Sequence, residues 1–387
     1  MGRPTRIWMN AGELSGDMHG GALLRALRTI RPELEAVGMG GPYLALEGMV
    51  NLLRVESLSV MGGTEVLLAL PRAVWLLRRI DGELRRRRAM GALDAVVLID
   101  APGFNFWVAR LARRLGIPVY YHIPPKVWAW RAGRVRFLRE HVRRVFCILP
   151  FEADFYREQG MEPGQAVFLG NPLVDLVNPA ALAAITPKSG RIGLMPGSRQ
   201  AEVSALMPVF GDTARLLRAG RPDLEFCCLR APNMDEGALR ALWPEDIPLS
   251  MIEPGERYAG MRSCTLLLAA SGTATLEAAL AGTPTIIAYR VSRLTYVLAK
   301  QAIRVPFIGL PNLILGEEIF PECIQDRAEP GHLAALAGSW LDDPDRPAAV
   351  RAGLDRLREL CGPPGSVERV AGALLDDLDA ARLEQSS

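Results

Sequence analysis

Short apolar runs alternate with longer helical patterns along most of the chain. Apolar or β-branched runs occupy residues 95–100, 117–123, 145–149 and 166–170, and the series resumes at 191–196. This alternation is typical of βαβ units, whose strands lie parallel in one sheet. The sequence therefore predicts an α/β fold with mainly parallel sheets.

The alternation is interrupted at "NPAALAAITPKSG" (178–190), where Pro, Ser and Gly accumulate. A length of 387 residues is enough for two domains. We predict two doubly wound, Rossmann-like domains, residues 1–177 and 178–345, with a ligand in the crevice between the carboxyl ends of their strands. The C-terminal helices, residues 346–387, are expected to pack back on the first domain or on a partner chain. Assembly into a homo-oligomer is therefore one of the two alternatives.

Composition limits the partners. A net charge of +2 does not indicate a protein that binds polyanions, so no nucleic-acid partner is expected. The six cysteines form no C-x-x-C pair and are expected to be reduced thiols in a cytosol. The apolar patch at the N-terminus is too short for a signal peptide, and no run of about 18 apolar residues is long enough to span a membrane.

The segment "TLLLAASGTATLEAALA" changes from a strand pattern to a helix pattern at "SGT". Gly272 lets the backbone approach a ligand closely, and the hydroxyls of this turn lie beside the free N–H groups of a helix start. Such a turn attracts phosphate, and Glu277 is placed to accept hydrogen bonds from a ribose. An ordinary capped turn is the alternative. The expected donor-binding residues here are Ser271, Gly272, Thr273, Ala274, Thr275 and Glu277.

A second turn of this kind occurs at "LMPGSRQAEV" (194–203). Gly197 ends a strand, Ser198 is suited to cap a helix, and Arg199 supplies a forked, permanent cation. Arg199 as an ordinary surface arginine is the alternative. Two phosphate-seeking turns in one domain predict a diphosphate ligand.

The first domain has a glycine-rich turn that is acidic, "NAGELSGDMHGGAL" (10–23). Glu13 and Asp17 would repel a phosphate, so this turn, with Ser15 and Gly16, suits the hydroxyls of a sugar acceptor. The later "GMGGP" is followed by Tyr43 at the third glycine position of G-x-G-x-x-G, so a dinucleotide fingerprint fails.

Asp100 ends the strand "AVVLID" and is a candidate general base, with capping of a helix near Asn105 as its alternative. The stretch "YHIPPKVWAWRAGRV" then offers Trp128 and Trp130 to stack on a sugar and Arg131 to meet a phosphate. The two tryptophans as core residues are the alternative. His122 is interpreted as a satisfied strand histidine.

Residues 61–88 combine a strongly apolar stretch with a cluster of arginines. This pattern is typical of a helix that lies on an anionic membrane surface; a buried helix with a solvated arginine face is the alternative. The membrane residues predicted are Val66, Leu67, Leu68, Leu70, Trp75, Arg78 and Arg79. Two D-x-D pairs, Asp343 with Asp345 and Asp377 with Asp379, follow no strand, so no catalytic metal and no cofactor are expected.

A set of motifs spans the chain in order from about Ala11 to Asp326: "AGELSGDMHG", "VMGGTEVL", "DAPGFN", "VWAWR", "LPFE", "GNPLVD", "LMPGSRQAEV", "ASGTATLEAAL", "AYRVS", "GLPNLILG" and "PECIQD". As a set they resemble the lipid-A-disaccharide synthase family of inverting GT-B glycosyltransferases. The resemblance implies transfer of a sugar from UDP-2,3-diacylglucosamine to 2,3-diacylglucosamine 1-phosphate, giving a β-1,6-linked disaccharide 1-phosphate and UDP. It also implies a peripheral enzyme of the cytoplasmic face of the inner membrane.

The resemblance assigns roles to Asp100, Arg199 and, beside the donor diphosphate, Asn312, and it places Glu13 and Ser15 toward the acceptor. The chain departs from the family at three places. Gly103 stands where a second Asp is usual, Asn171 where His is common, and Pro124, Pro125 and Lys126 where Ser-Pro is usual.

Two rival interpretations remain. One is another GT-B enzyme of a UDP-sugar, such as a UDP-N-acetylglucosamine 2-epimerase, which has no use for the apolar segment near Leu67. The other is a membrane-bound nucleotide-sugar-binding protein without turnover.

Overall fold

The computed structural model describes residues 3–54, 66–130, 132–292, 296–297, 300 and 305–386. Contacts divide the chain into two compact units. The first contains Met1–Pro172 and Pro363–Ser387, and the second contains Leu173–Gly362. The division falls ahead of residues 177 and 178 because the short helix Leu173–Leu176 packs against a helix of the second unit.

The sheet of the first unit contains, within the described residues, seven parallel strands in the order β3-β2-β1-β4-β5-β6-β7. Its central strands are buried on both faces, which explains their continuous apolar sequences. The strands are β1 Arg6–Ala11, β2 Glu35–Gly40, β3 Val50–Arg54, β4 Ala95–Ile99, β5 Val119–His122, β6 Arg144–Cys147 and β7 Ala166–Phe168.

Helices cover both faces of this sheet. Side chains of α1 and α17 share one buried cluster, and those of α3, α4 and α6 share the other. The helices are α1 Leu14–Ile30, α2 Pro42–Leu46, α3 Val66–Ala89, α4 Pro102–Arg114, α5 Val127–Trp130, α6 Val135–His141, α7 Glu152–Glu158 and, from the C-terminus, α17 Ser366–Ser386.

The C-terminal helix α17 is held by its apolar face. The six apolar residues that the sequence places on one face of this helix are all buried against α1 and the sheet: Val367, Val370, Ala371, Leu374, Leu375 and Leu378. In contrast, the preceding helix, α16, belongs to the second unit.

The sheet of the second unit contains, in the described part of the chain, six parallel strands in the order β10-β9-β8-β11-β12-β13. The strands are β8 Lys188–Met195, β9 Glu225–Leu229, β10 Leu249–Ile252, β11 Cys264–Ala270, β12 Thr285–Tyr289 and β13 Glu322–Ile324. The helices are α8 Leu173–Leu176, α9 Pro179–Ala183, α10 Gln200–Gly220, α11 Glu236–Arg240, α12 Arg257–Arg262, α13 Thr273–Leu280, α14 Leu310–Leu315, α15 Pro330–Asp342 and α16 Arg346–Leu360.

The predicted α/β class is confirmed, with a parallel sheet in each unit. All six cysteines are buried free thiols. Among the described helices, none combines the length and apolarity needed to cross a membrane.

Candidate active site

Each sheet has one topological switch point, where the strand order reverses. It lies between β1 and β4 in the first unit and between β8 and β11 in the second. Ligands of doubly wound sheets bind outside the carboxyl ends of the strands at such a point. Glu13 follows β1 and Asp100 follows β4, while Arg199 follows β8 and Ser271 follows β11. The loops predicted from sequence therefore lie at the switch points of their own units.

Asp100 lies in a strained turn between β4 and α4. Its φ is 48°, and the φ of Ala101 is 45°, so two successive residues with side chains adopt the left-handed region. Each such residue costs about 1–3 kcal/mol and persists only where its surroundings impose it. The start of α1 lies close by, since a Cβ placed on Gly16 would be 3.7 Å from the Cβ of Asp100.

A buried hydrogen-bond network holds this turn, and no local pattern of the sequence revealed it. Tyr121 donates its hydroxyl to the Asp100 carbonyl at 2.6 Å, and the Asn105 amide donates to the same oxygen at 2.8 Å. Asn10 in turn donates to the Asn105 side-chain oxygen at 2.7 Å and accepts from the Trp8 indole at 3.2 Å. These residues fix the main chain from which the Asp100 carboxyl projects.

The electrostatic environment of Asp100 suits a base. Burial raises the pKa of its carboxyl, while the Ala101 N–H and the charge of Lys126 oppose that rise. A carboxylate with a raised pKa is a stronger base than one in water. Helix α4 begins at Pro102 with Ala101 as its N-cap residue, so Asp100 is not the N-cap residue.

The residues predicted for the acceptor at the start of α1 differ in their surroundings. Glu13 is the exposed N-cap residue of α1, Ser15 is exposed in its first turn, and Gly16 is buried against β4. Asp17 is fully buried, and its carboxylate accepts the main-chain N–H groups of Gly41 at 2.6 Å and Tyr43 at 2.8 Å. Asp17 therefore ties α1 to the start of α2.

His122 is not the satisfied strand histidine that was expected. It is 2% exposed, and neither ring nitrogen has a hydrogen-bond partner among the described residues. Burial, with the nearby His19, lowers the pKa of His122 to about 3. The ring is therefore neutral at physiological pH.

The structure describes part of the aromatic segment that follows β5. The Trp128 indole donates to the Glu152 carboxylate at 2.9 Å, and its half-exposed ring meets Phe151 edge-on at 5.1 Å between centroids. Trp130 is the last residue of α5, but its side chain and the whole of Arg131 lie outside the described residues.

In the second unit, the turn from β8 to α10 requires glycine. Gly197 has a φ of 112°, and a Cβ there would lie 2.5 Å from Glu202 Oε2. The Asn233 side-chain amide donates a hydrogen bond to the main-chain carbonyl of Ser198 at 2.8 Å. Arg199 is the N-cap residue of α10; its side chain is 79% exposed and forms an ion pair with Glu202 at 2.7 Å.

The turn from β11 to α13 leaves space around Gly272. This glycine is extended, and a Cβ there would meet no heavy atom of the described chain within 4 Å. Ser271 donates its hydroxyl to the Ile308 carbonyl at 3.0 Å, and Thr275 donates to the Gly272 carbonyl at 2.8 Å. Thr273 is exposed and Ala274 half-buried at the start of α13. The first N–H groups of α13 therefore border an open space.

Two further predicted donor residues are engaged by protein groups. Glu277 is 6% exposed and pairs with the Arg257 guanidinium; burial raises the pKa of its carboxyl, although Arg257 opposes the rise. Asn312 donates to the Phe320 carbonyl at 2.7 Å and to Glu322 at 2.9 Å, and it accepts two main-chain N–H groups at 3.0 Å. All four hydrogen-bonding positions of the Asn312 amide are thus used.

The predicted membrane segment forms helix α3 from Val66 onward. Residues 61–65 and the side chains of Val66, Leu67, Leu68 and Leu70 lie outside the described residues. Trp75 is 50% exposed, with the Arg79 guanidinium 5.0 Å from its ring centroid, and Arg78 is exposed beside it. The opposite side of α3 is buried in the core through Leu76, Ile80 and Leu84.

Other features lie away from the switch points. Asp377 and Asp379 of one D-x-D pair are engaged by arginines, and among the described residues no group of three side chains is suited to hold a metal ion. A cavity of about 300 Å³ near Arg113, Val119 and Arg143 is lined by none of the predicted site residues.

The three departures from the family pattern have distinct surroundings. Gly103 is exposed in the first turn of α4, and a Cβ there would meet nothing of the described chain within 4 Å. Asn171 is buried and donates to the Ile148 carbonyl at 2.8 Å. Pro124 and Pro125 are buried, and Lys126 is exposed.

Two doubly wound units, each built on a parallel sheet and the second carrying the predicted phosphate-binding turns, define an α/β protein of the GT-B type. Solved structures support this class. The UDP-GlcNAc 2-epimerase from Neisseria meningitidis, bound to UDP-GlcNAc, aligns with a TM-score of 0.63 at 13% identity over 96% of this chain and 100% of that chain. The glycotransferase of kitacinnamycin aligns with a TM-score of 0.64 at 14% identity, over 97% and 100%. At such identities the likeness concerns the fold alone.

Sequence relatives give the particular family. The family described as lipid-A-disaccharide synthetase matches residues 7–357. Lipid-A-disaccharide synthase from Geobacter sulfurreducens is 39% identical over 380 residues, 96% of this chain and 97% of that protein. The Pseudomonas aeruginosa enzyme of the same name is 39% identical over 347 residues, 87% and 90%. The chain belongs to the lipid-A-disaccharide synthase family and is a glycosyltransferase of lipid A biosynthesis.

Proposed function

We propose that the protein transfers the sugar of UDP-2,3-diacylglucosamine to the 6-hydroxyl of 2,3-diacylglucosamine 1-phosphate, forming a β-1,6 linkage and releasing UDP. The first unit takes the acceptor, and the second takes the UDP-sugar. The observation that supports this division is the character of the two switch points. One carries Glu13 and Asp100, whereas the other carries glycine turns with Arg199 and the start of α13.

The reaction is a single displacement with inversion. The acceptor hydroxyl attacks the anomeric carbon, its proton passes to the Asp100 carboxylate, and the bond to the UDP oxygen breaks with its electron pair on the β-phosphate. A sugar hydroxyl is a poor nucleophile at neutral pH, which is why a base is needed. The raised pKa of Asp100 favours that role.

The charge that develops on UDP is stabilised by the second unit. The N–H groups at the start of α13 and the Arg199 guanidinium act on the diphosphate in place of a metal ion. Gly197 and Gly272 let the backbone approach it. Turnover is therefore expected to persist in a chelator such as EDTA.

Three of the predicted binding residues act through other residues in this proposal. Asp17 positions α1 through the start of α2, and Asn312 positions the segment that follows α14. Glu277 forms an ion pair with Arg257, whose guanidinium lies 5.5 Å from the ring centroid of Tyr258. Glu277 accepts further hydrogen bonds from the ribose.

Both substrates carry acyl chains, so the enzyme must collect them from a membrane. We propose peripheral attachment at the cytoplasmic face of the inner membrane through the segment that continues into α3. The exposed Trp75 with its stacked Arg79 supports this attachment.

Replacement of Arg199 by Ala tests the donor site. Loss of one preorganised electrostatic donor costs about 2.7–4 kcal/mol of barrier, or about 100- to 1,000-fold in kcat. Arg215→Ala is the matched control, because Arg215 lies on the same helix and pairs with Asp246. UDP release from a diacylated donor and acceptor is the measurement; parental turnover by Arg199→Ala contradicts the proposal.

An epimerase-like activity is the second candidate, because solved epimerases share the fold. It predicts a 2-epimer from the UDP-sugar alone, whereas the transferase needs the diacylated acceptor before UDP is released. Binding of UDP with neither product would instead indicate a nucleotide-sugar-binding protein.

A further inference from the structure

One face of the first unit is strongly basic. Helices α3, α4 and α6 cover the same face of the sheet and bury their apolar sides in one cluster. Residues 66–89, 102–114 and 134–141 together contain thirteen arginines and three carboxylates. This layer of three helices, called the arginine layer below, thus has a formal charge of +10 in a chain whose net charge is +2.

The few carboxylates of the arginine layer are engaged locally. Asp81 pairs with Arg85, Glu83 pairs with Arg86, and Glu140 pairs with an arginine one turn before it. Helix α4 contains no carboxylate at all, yet it carries Arg110, Arg113 and Arg114. Helix α4 therefore has a formal charge of +3 that no carboxylate of its own offsets, although it lies outside the segment predicted from sequence to meet a membrane.

Helix α4 repeats the tryptophan and arginine arrangement of α3. Trp107 is 53% exposed, and the Arg110 guanidinium lies 5.0 Å from its ring centroid, the same distance as between Arg79 and Trp75. An indole ring with an apolar body and one N–H donor favours the boundary between lipid headgroups and acyl chains. Burial in the core does not explain an exposed Trp107.

Stacked rings connect α4 with α6. The Phe106 and Phe137 rings stack at 4.6 Å between centroids, Arg110 also lies 5.1 Å from the Phe137 centroid, and Arg134 lies 5.4 Å from the Phe106 centroid. These contacts place the guanidinium groups over aromatic rings, and a guanidinium in such a contact is suited to donate in-plane N–H groups to phosphate.

We propose that the arginine layer is a docking surface for an anionic phospholipid bilayer, with α4 and α6 binding headgroup phosphates and Trp107 inserting beside Trp75. The inference rests on the membrane attachment proposed above and extends it from one segment to three helices. Exposed tryptophans within a surplus of arginine favour a lipid surface, and the acylated substrates require one.

Vesicle flotation tests the proposal, with phosphatidylcholine vesicles that contain or lack phosphatidylglycerol. Arg113→Gln/Arg114→Gln removes charge from exposed positions of α4, and Trp107→Ala removes the ring. Each cation near an anionic surface contributes about fivefold, so the double variant should bind roughly 30-fold more weakly to anionic vesicles. Trp107→Ala should weaken binding several-fold, and added salt should weaken wild-type binding.

Leu216→Ala is the matched control for Trp107→Ala, because Leu216 is 52% exposed on α10 of the second unit. It should bind vesicles like the wild type. All variants should keep the wild-type UDP affinity and the wild-type UDP release from substrates dispersed in detergent, since none of the substituted residues is among those proposed to bind a substrate or to take part in catalysis.

The outcomes separate the two proposals. Wild-type binding that the α4 variants share overturns the docking surface and leaves attachment through α3. Equal binding to vesicles with and without phosphatidylglycerol also overturns it, as does tighter binding to a single-stranded oligonucleotide than to anionic vesicles. If the wild type releases no UDP in detergent, the result contradicts the proposed function and leaves the docking surface unaffected.

Discussion

At the scale of single residues, Asp100 combines the end of a central strand with a raised pKa. Asp100→Asn keeps the shape of the side chain and removes the proposed base, so kcat should fall about 10²- to 10⁴-fold. The wild-type kcat/KM should fall as the pH is lowered, because the proposed base must be deprotonated. Since the pKa of Asp100 is raised, that fall should begin at a higher pH than for an ordinary aspartate. The pH profile of UDP release measures both.

The same variant should also separate function from stability. Because burial raises the pKa of Asp100, the native state binds this proton more tightly than the unfolded state does. The group therefore lowers the free energy of unfolding as the pH rises through the unfolded pKa of about 3.9 and toward the folded pKa. Asp100→Asn should be more stable than the wild type at pH 7, with the difference vanishing below about pH 3.9. A less stable Asp100→Asn in urea unfolding would argue against the burial effect.

Tyr121 tests the network that holds the Asp100 turn. Tyr121→Phe removes the hydroxyl that donates to the Asp100 carbonyl at 2.6 Å, which should cost about 0.5–1.5 kcal/mol of stability and lower kcat with little change in donor KM. Tyr120→Phe is the control, since the Tyr120 hydroxyl donates to Asp377 on the other face of the sheet at 2.8 Å. It should lower stability and leave kcat unchanged. Equal kcat in both variants would reduce Tyr121 to a structural residue.

The sequence revealed the residues that could do chemistry more readily than those that hold them. Asp100 was found because an acidic residue at the end of an apolar strand is a local pattern. Asn10 and Asn105 are 95 positions apart, and the bond between their side chains exists only once β1 and β4 pair. The four hydrogen bonds of the Asn312 amide were likewise not predictable from sequence. Its partners Ile319 and Phe320 lie beyond its own helix and come close only in the folded chain.

At the scale of elements, the turn from β11 to α13 gives a direct test of ligand approach. Gly272→Ala adds a methyl group to open space on extended backbone, so the free energy of unfolding should be unchanged or slightly higher. If the diphosphate occupies that space, the UDP affinity should fall at least tenfold. Gly220→Ala is the control, as its Cβ also meets nothing of the described chain within 4 Å. Calorimetric titration with UDP measures the difference, and an unchanged affinity for Gly272→Ala would move the ligand elsewhere.

Most strands were predictable as apolar runs, including β7 at the border of its sheet, whereas the other three border strands and β2 were not. β4 and β11 are continuous apolar runs because helices cover both faces of a parallel sheet. β3, β10 and β13 lie at the borders of their sheets, are short and are only partly apolar. β2 contains two glycines, and Gly38 is required because a Cβ there would lie 1.9 Å from the Met9 carbonyl oxygen of β1. Local composition made that strand resemble a loop.

At the scale of the whole molecule, the proposal assigns the acceptor to the first unit and the UDP-sugar to the second, so UDP should stabilise mainly the second unit. A ligand at 100 times its Kd adds about 2.7 kcal/mol to the stability of the state that binds it. Hydrogen exchange with UDP should therefore slow in peptides that cover the β8–α10 and β11–α13 turns. Peptides that cover the start of α1 and the Asp100 turn should exchange as before. Arg199→Ala should lose most of the added protection at the same UDP concentration, whereas Arg215→Ala should keep it. Protection that rises around Asp100 but not around Gly272 would reverse the assignment of donor and acceptor to the two units, because exchange reports the stability of the segment that the ligand contacts.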